Sequence, residues 1–162
     1  MIIHLSIPGT DKTHRGVILR SISLATFIIC IIIEKLTGPL RTRTVDFKLR
    51  LKSIADHQAI QLKIGEMVTR ARAARLLTFD AAEAYDRGER CDMEAGMAKY
   101  FASEAAVRNS EEALRIHGGY GYSKEYEIER YYRDSILMCI GEGTNEMQRM
   151  IISKQWVKRN PA

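Results

Sequence analysis

The sequence predicts an all-α fold, an antiparallel bundle of the four-helix type built from residues 54–160. Two observations carry this expectation. No proline occurs between Pro39 and Pro161, so nothing there interrupts a long helix. Across the same stretch apolar residues recur three and four positions apart, the spacing of one helical face.

The elements follow in order. A first helix of some thirty residues is predicted from Asp56 to Gly88, with Ile60, Ile64, Met67, Ala71, Ala74, Ala81 and Tyr85 along its apolar face. Asp92 is expected to cap a second helix, because a short side-chain oxygen there satisfies free N–H groups of the first turn. Met93, Met97, Tyr100, Phe101 and Leu114 are its expected buried side. Ala98, Ala102, Ala105 and Ala106 would let another helix come close, and Gly118-Gly119 would end it. A short third helix fits residues 124–134. A fourth begins after Thr144-Asn145, with Asn145 and Gln148 at capping-box spacing and Met147, Met150, Ile151 and Val157 as its stripe. The helices that begin near Asp56, Asp92 and Asn145 are expected to pack antiparallel.

Composition bounds the function classes. The chain has 162 residues, 46% hydrophobic and 28% charged, which is one domain of ordinary globular make-up and argues against disorder. Its three cysteines, Cys30, Cys91 and Cys139, are odd in number and lack C-x-x-C spacing. That speaks against a disulfide framework or a zinc site and for a reducing, cytoplasmic setting. The net charge of +5 belongs to the first third: residues 1–55 hold 9 Lys/Arg against 3 Asp/Glu, residues 56–162 hold 16 against 17. The basic stretch 41–52 reads as a solvated strand or loop, and no nucleic-acid partner is expected. Residues 1–53 read as an irregular or unrelated segment. Their thirteen-residue apolar run, 21–33, is too short for a membrane-crossing helix, which needs about 20 residues. A core segment, membrane attachment and a signal sequence stay open for it.

The histidines His4, His14, His57 and His117 are scattered without ligand spacing, so no metal site is expected. His117-Gly118-Gly119-Tyr120-Gly121-Tyr122 follows a helix, whereas a nucleotide loop precedes one. A helix end explains one glycine; the excess points to close approach of another group to the backbone. Gly141-Glu142-Gly143-Thr144 sets a carboxylate between two glycines ahead of a helix. Glu142 there either compensates the helix dipole or acts as a general base that substrate can approach, and composition does not choose between the two.

Four segments together resemble the C-terminal helical domain of the acyl-CoA dehydrogenases: 54–61 (IADHQAIQ), 113–122 (ALRIHGGYGY), 129–134 (ERYYRD) and 140–149 (IGEGTNEMQR). The resemblance implies FAD-dependent oxidation of an acyl-CoA thioester to the 2,3-enoyl-CoA. It implies that Glu142 is the base removing the α-proton and that the backbone of Gly143 faces substrate. Thr144, Asn145 and Glu146 then fall at the adenosine part of FAD. Arg115, Ile116, His117, Gly118 and Gly119 fall where a neighbouring subunit closes on the same cofactor, and Gln58 makes a further dinucleotide contact. It also implies a homo-oligomer, or a partner chain that supplies missing domains, and an electron-transfer flavoprotein as electron partner. Gly141 stands where the family usually has Tyr, which suggests a roomier acyl pocket; Arg115 stands where it has Gln, which offers a cation near the pyrophosphate. The family's Arg-x-x-Phe-Gly sequence is replaced here, with Phe47 and Arg50-Leu51 at its positions. Residues 1–53 cannot encode the family's N-terminal helical and β domains, so the chain is expected to be a truncated or rearranged member. The alternative is a helical assembly module without catalysis.

Overall fold

The computed structural model describes residues 54–161. The expectations for the apolar run, the basic stretch, Cys30 and the packing of residues 1–53 lie outside the described residues. After a 3-10 turn at Ile54–Asp56 come α1 (Gln58–Asp86), α2 (Asp92–His117), a one-turn α3 (Gly119–Tyr122), α4 (Ile128–Ile140) and α5 (Asn145–Arg159). Among the described residues there is no strand, and no helix is long and apolar enough to cross a membrane.

α2 is the central element, and its side-chain ties fix the direction of each neighbour. Lys63 pairs with Glu112, Asn109 Nδ2 donates to the Met67 carbonyl at 3.0 Å, and Ala81 packs with Ala95 and Ala98. Positions that rise along α1 therefore fall along α2. Against α4, Ile128 packs with Ala113 and Ile116, and the Ser110 and Ser135 hydroxyls pair at 3.0 Å. Against α5, Asn145 sits beside Ser103 while Arg159 reaches Glu94. All three neighbours run antiparallel to α2, as an up-down bundle requires.

The core between α1 and α2 is mostly alanine. Ala74, Ala102 and Ala106 form one fully buried cluster and Ala81, Ala95 and Ala98 another. Small side chains let the helix axes approach closely, so the packing tolerates little added volume. Gly96 serves the same end against α5: a Cβ there would lie 3.2 Å from Ile152 Cγ1. Among the described residues no buried side-chain nitrogen or oxygen lacks a hydrogen-bond partner.

Several boundaries depart from expectation. α1 ends at Asp86, and Gly88, at φ +74°, turns the chain while its N–H bonds the Tyr85 carbonyl. Asp92 is the first helical residue rather than the cap; Cys91 precedes it without a side-chain cap bond, and Asp92 pairs with Arg90 at 2.7 Å. The third predicted helix is shifted to Ile128–Ile140. Ser123 Oγ accepts from Glu125 N–H and holds residues 123–126 in a turn, and nothing stops the helix before Gly141. Thr144, not Asn145, caps the last helix, its hydroxyl accepting from Met147 N–H at 3.4 Å. Phe101 is exposed because it shares α2's outward row with Arg108. Met147, Met150 and Val157 are also exposed, so that stripe is not buried within the described chain.

The far end of α5 is tied by Arg159, which bonds the Glu94 carboxylate (3.1 Å for one contact) and the Arg90 carbonyl (2.7 Å). The guanidinium hydrogen bond holds the Glu94 carboxyl below its ordinary range, against the opposing effect of burial. A depressed carboxylate stabilises the fold above the unfolded-state value and loses that contribution as pH falls through the folded one. An Arg159→Gln variant is therefore expected to melt below wild type at pH 7 by about 0.2–1 kcal/mol, with the difference closing below about pH 4. Parallel thermal melts across that range check it; a gap that widens on acidification contradicts it.

Candidate functional site

The connection between α4 and α5 carries Glu142, and its backbone is unusual. Glu142 adopts φ +54° and Gly143 φ +93°, so two consecutive residues turn left-handed before Thr144 caps α5. Glycine takes such angles freely, but for a glutamate they cost on the order of 1 kcal/mol. At Gly143 any side chain would also press within 2.9 Å of Gln148 Nε2. The result is a carboxylate projected outward: Glu142 is exposed and makes no ion pair or side-chain hydrogen bond among the described residues.

Beneath this loop lies a buried polar cluster. Lys99, only 4% exposed, donates to Asn145 Oδ1 at 2.8 Å and to the Cys139 carbonyl at 3.4 Å. Ser103 Oγ donates to the same Asn145 oxygen at 3.0 Å, and Asn145 Nδ2 donates to Glu104 Oε1 at 2.9 Å. Burial pushes the Lys99 ammonium down from its usual value, while Cys139 and the carboxylates of Glu142, Glu146 and Glu104 pull it back up. Burial also pushes the Cys139 thiol up, opposed by hydrogen bonds from Ser103 and Asn145. Glu146, in the first turn of α5, is held low by backbone and Thr144 hydrogen bonds. Sequence reading missed Lys99, Ser103 and Glu104. The signal for Lys99 and Ser103 was available: both fall in the three-and-four rhythm of α2's buried alanines, where a charge needs a partner.

The glycine segment forms a second locus at the other end of α2. Gly118 takes φ +60° and ψ −139°, and a Cβ at Gly118 or Gly119 would meet nothing within 4 Å. The space beside them is open to a ligand, although Gly118 N–H already bonds the Arg115 carbonyl at 3.2 Å and the Gly118 carbonyl accepts from Gly121 N–H at 2.9 Å; the exposed Arg115, paired with Glu111 at 2.6 Å, brings a cation alongside. Gly121 is the glycine demanded by the chain's own packing, since its Cβ would lie 2.6 Å from the Leu114 carbonyl oxygen. Ile116 and His117 are turned inward: Ile116 packs with Met67, Ala113 and Ile128, and His117 Nδ1 lies 2.8 Å from the Ala113 carbonyl. Gln58 is exposed at the start of α1, at this same end of the bundle.

The predicted site residues therefore form two groups. Glu142, Gly143, Thr144, Asn145 and Glu146 gather near Ser103, whereas Gln58 and residues 115–119 gather at the C-terminal end of α2. Twelve residues of helix from Ser103 to Arg115 separate them by about 18 Å. For a dinucleotide such as FAD, the second group fits an anionic portion through Arg115 and the open glycine backbone. Asn145, Ile116 and His117 have side chains already committed inside the chain. Among the described residues, no group of three or more His, Cys, Asp or Glu side chains is placed to hold a metal ion.

Residues 40–157 match the family model for the acyl-CoA dehydrogenase C-terminal domain, a match that begins upstream of Ile54. The chain is 52% identical over 103 residues to an acyl-CoA dehydrogenase of Bacillus subtilis, covering 64% of this chain and 27% of that protein. It is 46% identical over 108 residues to the caffeyl-CoA reductase-Etf complex subunit CarC of Acetobacterium woodii, covering 67% and 28%. The solved structure of butyryl-CoA dehydrogenase from Megasphaera elsdenii superposes with a TM-score of 0.77 at 33% identity, covering 86% of this chain and 36% of that one. The chain thus spans under a third of the length of those two sequence relatives. On the family match and the shared helical fold, the chain belongs to the acyl-CoA dehydrogenase family through its C-terminal helical domain.

Proposed function

We propose that this chain contributes the base-bearing domain to FAD-dependent oxidation of an acyl-CoA thioester to its 2,3-enoyl-CoA. The observation that carries the reading is Glu142, an exposed carboxylate fixed in a left-handed turn and clear of ion pairs among the described residues. Glu142 takes the proton from the thioester's α-carbon, and the bare backbone of Gly143 lets the substrate carbonyl region come close. FAD, when bound, supplies the acceptor for the hydride leaving the β-carbon. Arg115, Gly118 and Gly119 would hold its pyrophosphate portion, with Gln58 as a further contact. Thr144 and Glu146, at the head of α5, would meet its adenosine part, and Asn145 would fix the loop from inside. The separation of the two groups along α2 supports a site assembled between copies of this chain, each copy giving its glycine segment to a neighbour. A partner chain is the other source of the flavin- and CoA-gripping domains. The relative named as an Etf-complex subunit supports an electron-transfer flavoprotein as electron partner. The odd cysteine count supports a cytoplasmic setting.

The alternative, a helical assembly module without catalysis, draws on the exposed apolar side chains of α4 and α5, including Ile136, Leu137, Ile140, Met150 and Trp156. Bound flavin separates the two readings. The chain, co-expressed with a homologue's N-terminal and β domains, is expected to purify yellow with near-stoichiometric FAD and to sediment as an oligomer. Colourless protein that still associates with the homologue would favour the assembly module.

A further inference from the structure

Five residues link Cys139 at the foot of α4 to Asn145 at the head of α5, and Glu142 lies at their centre. One buried ammonium touches both ends of that link: Lys99 Nζ is 2.8 Å from Asn145 Oδ1 and 3.4 Å from the Cys139 carbonyl. Ser103 adds a bond to the same Asn145 oxygen, and Glu104 takes up the Asn145 amide nitrogen, so the head of α5 is held from three side chains of α2. A left-handed non-glycine residue persists only where its surroundings over-determine it. The Thr144 cap fixes α5 locally but leaves the relation of α4 to α5 open; Lys99 closes it.

We infer that Lys99 is the positioning residue of the Glu142 loop, a two-ended staple whose single ammonium sets the span from Cys139 to Asn145 and so the direction of the Glu142 carboxylate. Its significance for catalysis rests on the reading of Glu142 as the base; the staple itself does not. The residue's burial fits this role, because a buried lysine is costly unless its donors are used, and these are used on the loop's two ends and nowhere else among the described residues. An exposed lysine serving only solubility would show neither the burial nor the bonds.

Hydrogen exchange on the full 162-residue chain reads the staple without flavin or substrate. In Lys99→Met, which keeps length and loses the donors, the hydrogen-bonded amides of Gly141 and Met147 are expected to exchange about tenfold faster or more, with those of α1 unchanged. Lys99→Arg, which keeps charge and donors, should restore much of the protection. Unchanged exchange at Gly141 and Met147 in Lys99→Met overturns the inference, as does equal loosening of α1, which would mean general destabilisation. Should Lys99→Met not fold, lysine acetylation rates in the wild-type chain decide. Lys99 is expected to react far more slowly than the exposed Lys124, Lys154 and Lys158, and equal rates overturn the staple. In flavin-loaded assembled enzyme, Lys99→Met should slow flavin reduction by acyl-CoA about 100-fold at little-changed thioester affinity, since small misplacement of a reacting group costs that much. A wild-type enzyme that is not reduced at all would sink the proposed function and leave the exchange result standing.

Discussion

Glu142→Gln is expected to abolish reduction of bound flavin by acyl-CoA while leaving flavin and thioester affinity nearly as in wild type. The amide keeps the shape and polarity of the carboxylate, and because Glu142 is exposed and bonds no side chain among the described residues, its loss disturbs no packing. What changes is basicity: an amide cannot accept the α-proton, and a positioned general base contributes about 100- to 10,000-fold. Stopped-flow reduction in the assembled protein reads this directly. If Glu142 only compensates the helix dipole, the same variant loses up to about 1 kcal/mol of stability and no reduction rate. The two roles therefore predict opposite pairs of results, one kinetic and one thermal.

The largest stability effect is expected at Ala102. It is fully buried in the cluster with Ala74 and Ala106, where α1 and α2 meet through small side chains. Ala102→Leu adds three carbons where there is no room for them. Overpacking of this kind costs about 1–3 kcal/mol, occasionally more, and in a domain of this size each kcal/mol lowers the melting temperature by several degrees. Phe101→Ala, one position away on the outward row and 36% exposed, should cost less, about 1 kcal/mol, because part of its ring already lies in water. Thermal unfolding followed by circular dichroism compares the pair; a larger loss from Phe101→Ala would contradict the placement of these faces.

These contrasts show what the sequence made legible. The alanines of α2 were readable as a close-packing face because small residues at three-and-four spacing have few other uses. Phe101 was misread because aromatic character suggests burial, whereas its angular position on the helix decides it. Helix ends were read to within a few residues where glycine acts through φ, as at Gly88, and less well where a serine turn competes, as at Ser123. In the site, Glu142 and the glycine segment stood out because their residue types are unusual for their surroundings. For Asn145 the structure adds what the sequence does not show: its side chain points into the bundle, joined to Lys99, Ser103 and Glu104 more than forty positions away. Contacts of that separation leave no local pattern, and only the packing of α5 on α2 brings them together.

The central claim, that this chain brings the α-proton base to a flavin-dependent acyl-CoA oxidation, is tested most directly by anaerobic mixing of the assembled, flavin-loaded wild-type protein with an acyl-CoA. The account predicts loss of the oxidised-flavin absorbance together with formation of a thioester two hydrogens lighter, both absent in Glu142→Gln. Flavin that binds but keeps its colour, with the acyl-CoA mass unchanged, would contradict it.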